Sequence, residues 1–273
     1  MHFIDNNLQQ QFQQYGFVKF PLLLPHEVTQ LQELWEMVRP PEIEGIYSNI
    51  HDQPQEINTL VDQQITELFA LHLPALMGDA WLGGATFLVK GAGPNSASTP
   101  HQDWCNVDER RALSATLWCP LVDVDEHNGA LQVLPGTHRL PPTVRSLDTP
   151  SVYLDFDDRL EPWLTCVPAK AGEGVLYAHN LFHGSKPNLS GDVRVAAVSG
   201  VLPVGVTHLH YRRDPDRTGS FETYEVERDF FLSGIPEMAN GRVPDSAHYR
   251  STGPHRDEPL TFDEIVAAVV AAR

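Results

Sequence analysis

Cysteine is scarce in this chain of 273 residues: there are 3, at positions 105, 119 and 166, with no C-x-x-C pair among them. An odd number at scattered spacings argues against a disulfide framework and against a thiolate zinc site. Basic residues are also few, with Lys+Arg 19 against Asp+Glu 36 and a formal net charge of −17. Nucleic-acid binding and electrostatic docking on anionic lipid both rest on Lys and Arg, so the balance argues against either class. Long apolar runs are missing. The longest, such as Ile265 to Ala272, fall far short of the roughly 20 residues that cross a bilayer. The opening Met1-His2-Phe3-Ile4-Asp5-Asn6 has neither the basic nor the apolar region of a secretory leader. The closing Ala271-Ala272-Arg273 is no peroxisomal address. A cytoplasmic protein is the expectation.

What is present is core material: 41% of the residues are hydrophobic and 9% aromatic, which excludes a disordered chain. No repeat, low-complexity tract or linker interrupts the sequence. Residues 1–273 are therefore expected to form a single domain with helices over about 22–77, a β core over about 84–206 and an extension over about 207–273. Phe17-Val18-Lys19-Phe20 alternates like a strand. Pro25 opens a helix with Val28, Leu31, Leu34, Trp35 and Val38 on one face, and Pro40-Pro41 ends it. Ile57, Leu60, Val61, Ile65, Leu68 and Phe69 predict a second helix that closes before Pro74, with residues 40–54 a loop between the two. Beyond residue 84 come short runs rich in Val, Leu, Ala and Thr, at 86–89, 112–121, 130–134, 175–177 and 193–204. Turn residues separate them, which indicates a sandwich or closed barrel rather than a βαβ sheet. Thr261-Phe262-Asp263-Glu264 has the capping-box pattern that opens a terminal helix.

Three segments carry candidate chemistry. In Thr99-Pro100-His101-Gln102-Asp103-Trp104, an extended chain would project His101 and Asp103 to one face, toward one metal. Alone the triplet is weak evidence, since a surface His beside a solvated Asp gives the same pattern. His183 follows an apolar strand and precedes a Gly/Ser/Pro/Asn turn, and Arg194 enters the next apolar run. Two His and one carboxylate form the facial triad of non-haem Fe(II) oxygenases, which leaves coordination positions open. An Arg fork holds a carboxylate by two hydrogen bonds; a structural ion pair with a core acid is the alternative for Arg194.

Taken together these pieces resemble the phytanoyl-CoA dioxygenase family of Fe(II)/2-oxoglutarate oxygenases. The matching motifs are His101-Gln102-Asp103, Asn128-Gly129-Ala130-Leu131, Pro135-Gly136-Thr137-His138-Arg139, and His183-Gly184-Ser185 with Pro187-Asn188, Ser190 and Arg194. The resemblance covers roughly residues 10–205 and is densest over 85–200. It implies a mainly β fold with flanking helices around a double-stranded β-helix (jelly-roll, cupin-like) core. It implies that His101, Asp103 and His183 hold Fe(II), and that Arg194, helped by the Ser185 hydroxyl, binds the distal carboxylate of 2-oxoglutarate. With dioxygen as second cosubstrate, it implies decarboxylation to succinate and hydroxylation of a small organic molecule: an amino acid, a natural-product intermediate or a lipid-like acid. Related halogenases replace the carboxylate with a small residue, and Asp103 is retained here.

Two rival readings come from other classes: a cupin-like metal-dependent isomerase or hydrolase that does not use 2-oxoglutarate, and a non-catalytic jelly-roll binding protein. Several residues carry smaller expectations. His179, four residues before His183, is expected to pack beside the site rather than ligate, and His138 to be structural. Lys90 reads equally as an active-site residue or a solvated strand end. Trp104 and Trp118 read as core, with an aromatic wall around substrate as the alternative. The acidic stretch over 139–165, with Asp155, Asp157, Asp158 and Glu161, reads equally as a lid or a solvated insertion. His208-Leu209-His210-Tyr211-Arg212-Arg213 is expected to form a basic surface patch paired with Asp214 and Asp216.

Overall fold

Strand β3 (Ala80–Lys90) shows why the central apolar runs are nearly continuous. Its odd residues Ala85, Phe87 and Val89 face a layer of helices, where Phe87 meets Trp35 edge-on at 5.5 Å. Its even residues Gly84, Thr86, Leu88 and Lys90 face an internal cavity. A strand covered on both faces needs little polar alternation. The computed structural model in which this is seen describes residues 1–149, 156–239, 242–254 and 260–273.

Two antiparallel sheets enclose that cavity as a jelly roll. The larger has the order β1-β8-β5-β10-β3-β2, built from β1 (Phe17–Pro21), β2 (Ile46–Ser48), β3, β5 (Ala115–Pro120), β8 (Glu173–Ala178) and β10 (Arg194–Pro203). The smaller, β4-β9-β6-β7, is made of β4 (Ser98–His101), β6 (Leu131–Val133), β7 (Thr165–Val167) and β9 (His183–Ser185). A third sheet, β11 (Leu209–Arg213), β12 (Ser220–Glu225) and β13 (His248–Pro254), lies wholly in the extension.

Helix α2 (Pro25–Val38) spans the residues its apolar face predicts, and its N-terminus is closed by Glu27 accepting from the Leu24 amide at 2.7 Å. Two expectations need correction, and one helix was not expected. Helix α4 (Gln55–Leu76) passes Pro74 and ends two residues later, where the Met77 amide donates to the Leu73 carbonyl at 2.8 Å. Pro74 costs the helix one bond, to the Ala70 carbonyl, but Ala70 is exposed and water can satisfy that carbonyl. Residues 40–54 are not all loop: β2 pairs with the β3 edge from Ile46 to Ser48, and α3 (Asn49–Asp52) follows. Helix α1 (Asn6–Tyr15), which no apolar stripe announces, is capped by Asp5 at one end and by Gly16 at φ 82 at the other. A side chain at Gly16 would also strike His138, 2.5 Å from where its Cβ would lie.

Helix α7 (Phe262–Ala272) carries the expected capping box and packs Ile265 and Val269 on Leu134, Leu160 and Phe182. Leu160 belongs to α5 (Asp157–Leu160), so this part of the 139–165 stretch is core rather than a solvated insertion; Asp155 lies outside the described residues. Helix α6 (Phe230–Ala239) lies against α4 and β3. Among the described residues, no helix is long and apolar enough to cross a membrane.

Candidate active site

Pairing between the small-sheet strands β4 and β9 sets His101 opposite His183, with ring centroids 4.6 Å apart. Asp103 does not lie on the strand that spacing suggested, because β4 stops at His101. Its backbone amide instead donates to the His179 carbonyl at 2.8 Å, and its own carbonyl accepts from Arg145 Nε at 2.7 Å. These bonds turn the carboxylate toward the imidazoles. Asp103 Oδ1 lies 3.7 Å from His101 Nε2 and 3.5 Å from His183 Nε2. One ligand atom from each residue falls within 4.8 Å of the others.

Both imidazoles are oriented from behind. His101 Nδ1 meets the Thr99 carbonyl at 2.9 Å, and His183 Nδ1 meets the Leu181 carbonyl at 3.0 Å. A carbonyl accepts, so the proton is on Nδ1 and the Nε2 lone pair points inward, the arrangement that prepares a His to ligate. Thr116 on β5 donates to Asp103 Oδ2 at 2.7 Å, leaving Oδ1 facing the imidazoles. Burial alone would raise the Asp103 carboxyl, but His183, His179, His101 and the Thr116 hydroxyl outweigh it and hold the group below its usual range. Burial pushes His183 down to about 4 despite the attraction of Asp103. The site thus holds a carboxylate and neutral imidazole, the protonation states a divalent cation needs.

The triad opens on a cavity of about 540 Å³ lined by both sheets and by the extension, within the range of small-molecule sites. At one end, Arg194 and Lys90 are partners across β10 and β3. Arg194 is 3% exposed, and its Nη2 donates to the Gly129 carbonyl at 3.3 Å. Its Nε and Nη1 have no partner, and the guanidinium lies 5.4 Å from the Trp118 ring centroid. Among the described residues no carboxylate pairs with it, so the ion-pair alternative is not realised there. Burial lowers Arg194 to about 10. Ser185 reaches the same cavity wall without bonding to Arg194.

Lys90 is no solvated strand end. It is 2% exposed, and its ammonium donates to the carbonyls of Ser96 and Lys186. Burial and then the nearby Arg194 charge bring it down to about 7. The neighbouring Asn128-Gly129 turn is shaped for it: at φ +80, Gly129 brings backbone to where a Cβ would lie 2.9 Å from Lys90 Cδ.

Other residues divide as follows. His179 lines the cavity but stands outside the triad, its Nδ1 taken by the Ser114 hydroxyl at 2.7 Å. His138 is buried with its Nε2 3.2 Å from the Gln13 carbonyl, in keeping with a structural role. Trp104 and Trp118 both line the cavity. The predicted basic surface patch is corrected: His210 is 3% exposed, and His208 and His210 both face the cavity. Arg212 lies 3.9 Å from Glu222, and the Arg213 amide donates to Asp148. His210 turns inward from β11 and His208 from just before it, whereas Arg212, of the same parity further along the strand, lies past the cavity and reaches Glu222 on β12.

Sequence reasoning missed Thr116 and the pair Arg145–Glu109. Thr116 was accessible in principle, since it alternates with cavity-facing Trp118 on one strand. Arg145 carries no such signal. It is buried, bonds Glu109 through two nitrogens, and holds Asp103 by its backbone from 42 positions away.

Comparison with known proteins fits this geometry. Among solved structures of similar fold are the epimerase SnoN in complex with Fe3+, alpha ketoglutarate and nogalamycin RO, the carbocyclase SnoK from nogalamycin biosynthesis, and HygX from Streptomyces hygroscopicus with nickel and 2-oxoglutarate bound. SnoN is 19% identical with a TM-score of 0.56, and the match covers 94% of this chain and 96% of that one. SnoK is 22% identical with a TM-score of 0.54, covering 75% of this chain and 86% of that one. HygX is 14% identical with a TM-score of 0.55, covering 74% and 88%. No curated protein matches significantly by sequence. The phytanoyl-CoA dioxygenase (PhyH) family profile matches residues 12–196, a span that takes in the triad, the Asn128-Gly129 turn and Arg194, and the chain belongs to that family.

Proposed function

We propose that the protein is an Fe(II)- and 2-oxoglutarate-dependent dioxygenase that hydroxylates a small organic molecule. In this reading His101, Asp103 and His183 hold the metal, and Arg194, with Ser185 beside it, receives the distal carboxylate of 2-oxoglutarate. Residues 1–273 act as one functional unit. The observation that carries the reading is the unpaired Nε and Nη1 of a buried Arg194 in the same cavity as the triad. A buried guanidinium with two idle donors is costly unless an anion meets it, and a carboxylate accepts from both. HygX with nickel and 2-oxoglutarate bound, and SnoN in complex with Fe3+ and alpha ketoglutarate, support the same cosubstrate.

The bound metal and cosubstrate would together supply oxidative decarboxylation of 2-oxoglutarate to succinate with activation of dioxygen. The chain's own residues prepare for this. Arg194 and Ser185 orient one end of the cosubstrate, and Trp118 walls its flank. Lys90 adds positive potential beside Arg194 and keeps the anion's end dry. Thr116 and Arg145 fix the Asp103 carboxylate, and the two backbone carbonyls fix the imidazole tautomers.

A second reading differs in outcome, not in machinery. Two neighbours are named an epimerase and a carbocyclase, so oxidation without oxygen insertion is the alternative to hydroxylation. One experiment addresses both. Anaerobic addition of Fe(II) and then 2-oxoglutarate should give the visible charge-transfer band of the chelate, and Arg194→Ala should abolish it. No band with iron still bound would favour a metal enzyme that does not use 2-oxoglutarate. No iron binding would leave a non-catalytic binding protein. With substrate in hand, label from ¹⁸O₂ in the product marks hydroxylation; label in succinate with none in the product marks the alternative.

A further inference from the structure

The cavity has a second half that the metal and 2-oxoglutarate do not use. Thr116, which holds the Asp103 carboxylate, is paired across the large sheet with Gly200. Gly200 in turn borders Gly83: a Cβ on Gly83 would lie 3.6 Å from Gly200 Cα. Beside the triad Gly200 and Gly83 thus leave backbone without side chains across one strand spacing, with Leu202 Cδ1 3.2 Å from where a Gly83 Cβ would lie. Helix α6 faces this backbone. Phe231 lies directly on Gly84, where an added Cβ would come within 2.2 Å of its ring, and Phe230 and Ile235 line the same cavity. Trp104 packs with this group, so the wall is aromatic and aliphatic throughout.

Polar groups in this half are few and uncharged. His210 is stacked on Phe230 at 4.9 Å, and burial brings it down to about 4. His208 stands edge-on to Trp81 at 5.7 Å, and burial brings it also to about 4. The His208 Nδ1 has no hydrogen-bond partner, so packing alone places the ring and a ligand can select its tautomer. Asn106 adds an amide. Among the described residues lining the cavity, the only Lys or Arg are Lys90 and Arg194, and the only carboxylate is Asp103. The first two lie at the cosubstrate end and the third in the triad. Among the described residues of this half, none remains to neutralise the phosphates of a coenzyme A thioester, the carboxylate of a free acid, or the paired charges of an amino acid, and burying any of these there unpaired is prohibitive.

We infer that the substrate is a compact, uncharged, ring-built molecule with an oxygen for His208 or His210, and that Phe230, Phe231 and Ile235 of α6 select it. A ring packs face or edge against the aromatic wall of Trp104, Phe230 and Phe231, which offers a flexible chain no comparable contact. The inference deepens the proposed function and rests on it for the placing of the cosubstrate. It narrows the candidates by setting aside amino acids, lipid-like acids and acyl-CoA.

The test is equilibrium binding by calorimetry to the full chain, metal-free and again loaded with Mn(II) and 2-oxoglutarate. The probes are the neutral bicyclic ketone 1-tetralone, 2-naphthoic acid, L-phenylalanine and palmitoyl-CoA. We expect 1-tetralone to bind both forms and the three charged probes to bind at least about tenfold more weakly. Phe231→Ala should weaken 1-tetralone by about tenfold or more, the scale of a lost aromatic contact. His208→Ala should weaken it less, and neither variant should change Mn(II) affinity. If Phe231→Ala fails to fold, Phe231→Leu and Phe230→Leu take its place. Tighter binding of any charged probe, or 1-tetralone binding that no α6 variant alters, overturns the inference. Retained 1-tetralone binding with no Mn(II) or 2-oxoglutarate binding would overturn the proposed function and leave this inference standing.

Discussion

The two ends of the cavity are built on opposite principles. At the cosubstrate end, every polar group is charged or aimed: the triad, Arg194 and Lys90 are positioned by strand pairing, backbone carbonyls and a glycine turn. At the α6 end, the wall is apolar and its imidazoles are held by stacking, with hydrogen-bonding capacity left over. The first arrangement tolerates little displacement, because its work depends on directed lone pairs. The second depends on shape and can change without disturbing the first. On the proposed function and the inference built on it, chemistry falls to the β core, and choice of substrate falls largely to the extension.

The contrast can be broken most severely at the triad. Asp103→Ala should remove iron binding and 2-oxoglutarate consumption altogether, as read by Fe(II) titration and succinate formation, whereas His179→Ala should retain both. Next in size is Arg145→Met, which strands Glu109 as a buried charge. It should cost about 3–5 kcal/mol of stability, seen as a fall in Tm, and weaken metal binding about 10–100-fold through the freed Asp103 backbone. The double variant Arg145→Met/Glu109→Leu should recover most of the stability but not the metal affinity.

A smaller effect is expected of Arg194→Lys. An ammonium keeps the charge but not the fork, so 2-oxoglutarate binding should weaken by about 1.5–3 kcal/mol while metal binding holds. A uniform loss of both would mean that the two ends of the triad cavity are not separable as described.

The smallest effect concerns pH. Burial holds His138 and His210 near 4 in the fold, while an unfolded imidazole titrates near 6.5. Between those values the unfolded chain binds more protons, so the stabilisation present above about pH 6.5 is lost as pH falls toward 4. Each histidine should add up to about 1.4 kcal/mol per pH unit to that decline. His210→Phe, which preserves stacking on Phe230, should make the Tm profile between pH 7 and 5 shallower. An unchanged slope would show that His210 is not buried neutral.

Much of the fold was legible because its signals are local. Pro25 with the apolar stripe of α2, the Thr261–Glu264 capping box and the runs that became β3, β5, β8 and β10 all act through neighbours in sequence. The short strands β7 and β9 and the extension sheet left weaker traces, because three residues give no period to read. At the site, His101, Asp103, His183 and Arg194 were found through motifs. The reason Asp103 reaches the others was not, since it depends on His179 and Arg145 backbone contacts far away in the chain. His208 and His210 were misread for the same reason: with Arg212 and Arg213 they look basic in one dimension, and only the packing of β11 shows which way each side chain turns.

The packing of α6 against α4 and β3 bears on how the molecule is made. Arg228, just before that helix, bonds Asp62 of α4 through both terminal nitrogens at 2.8 Å and also reaches the Leu82 and Gly83 carbonyls. Asp62 additionally accepts from the Ala85 amide, so one carboxylate ties α4, β3 and α6 together. Its partner lies 166 residues further on, so a ribosome emits the whole β core before Asp62 is satisfied. Until then the Asp62 carboxylate has the Ala85 amide and the Thr66 hydroxyl but no counter-charge. During synthesis the hearth of the enzyme is thus laid well before its outer wall, and the nascent cavity stays open on the side that later chooses what enters.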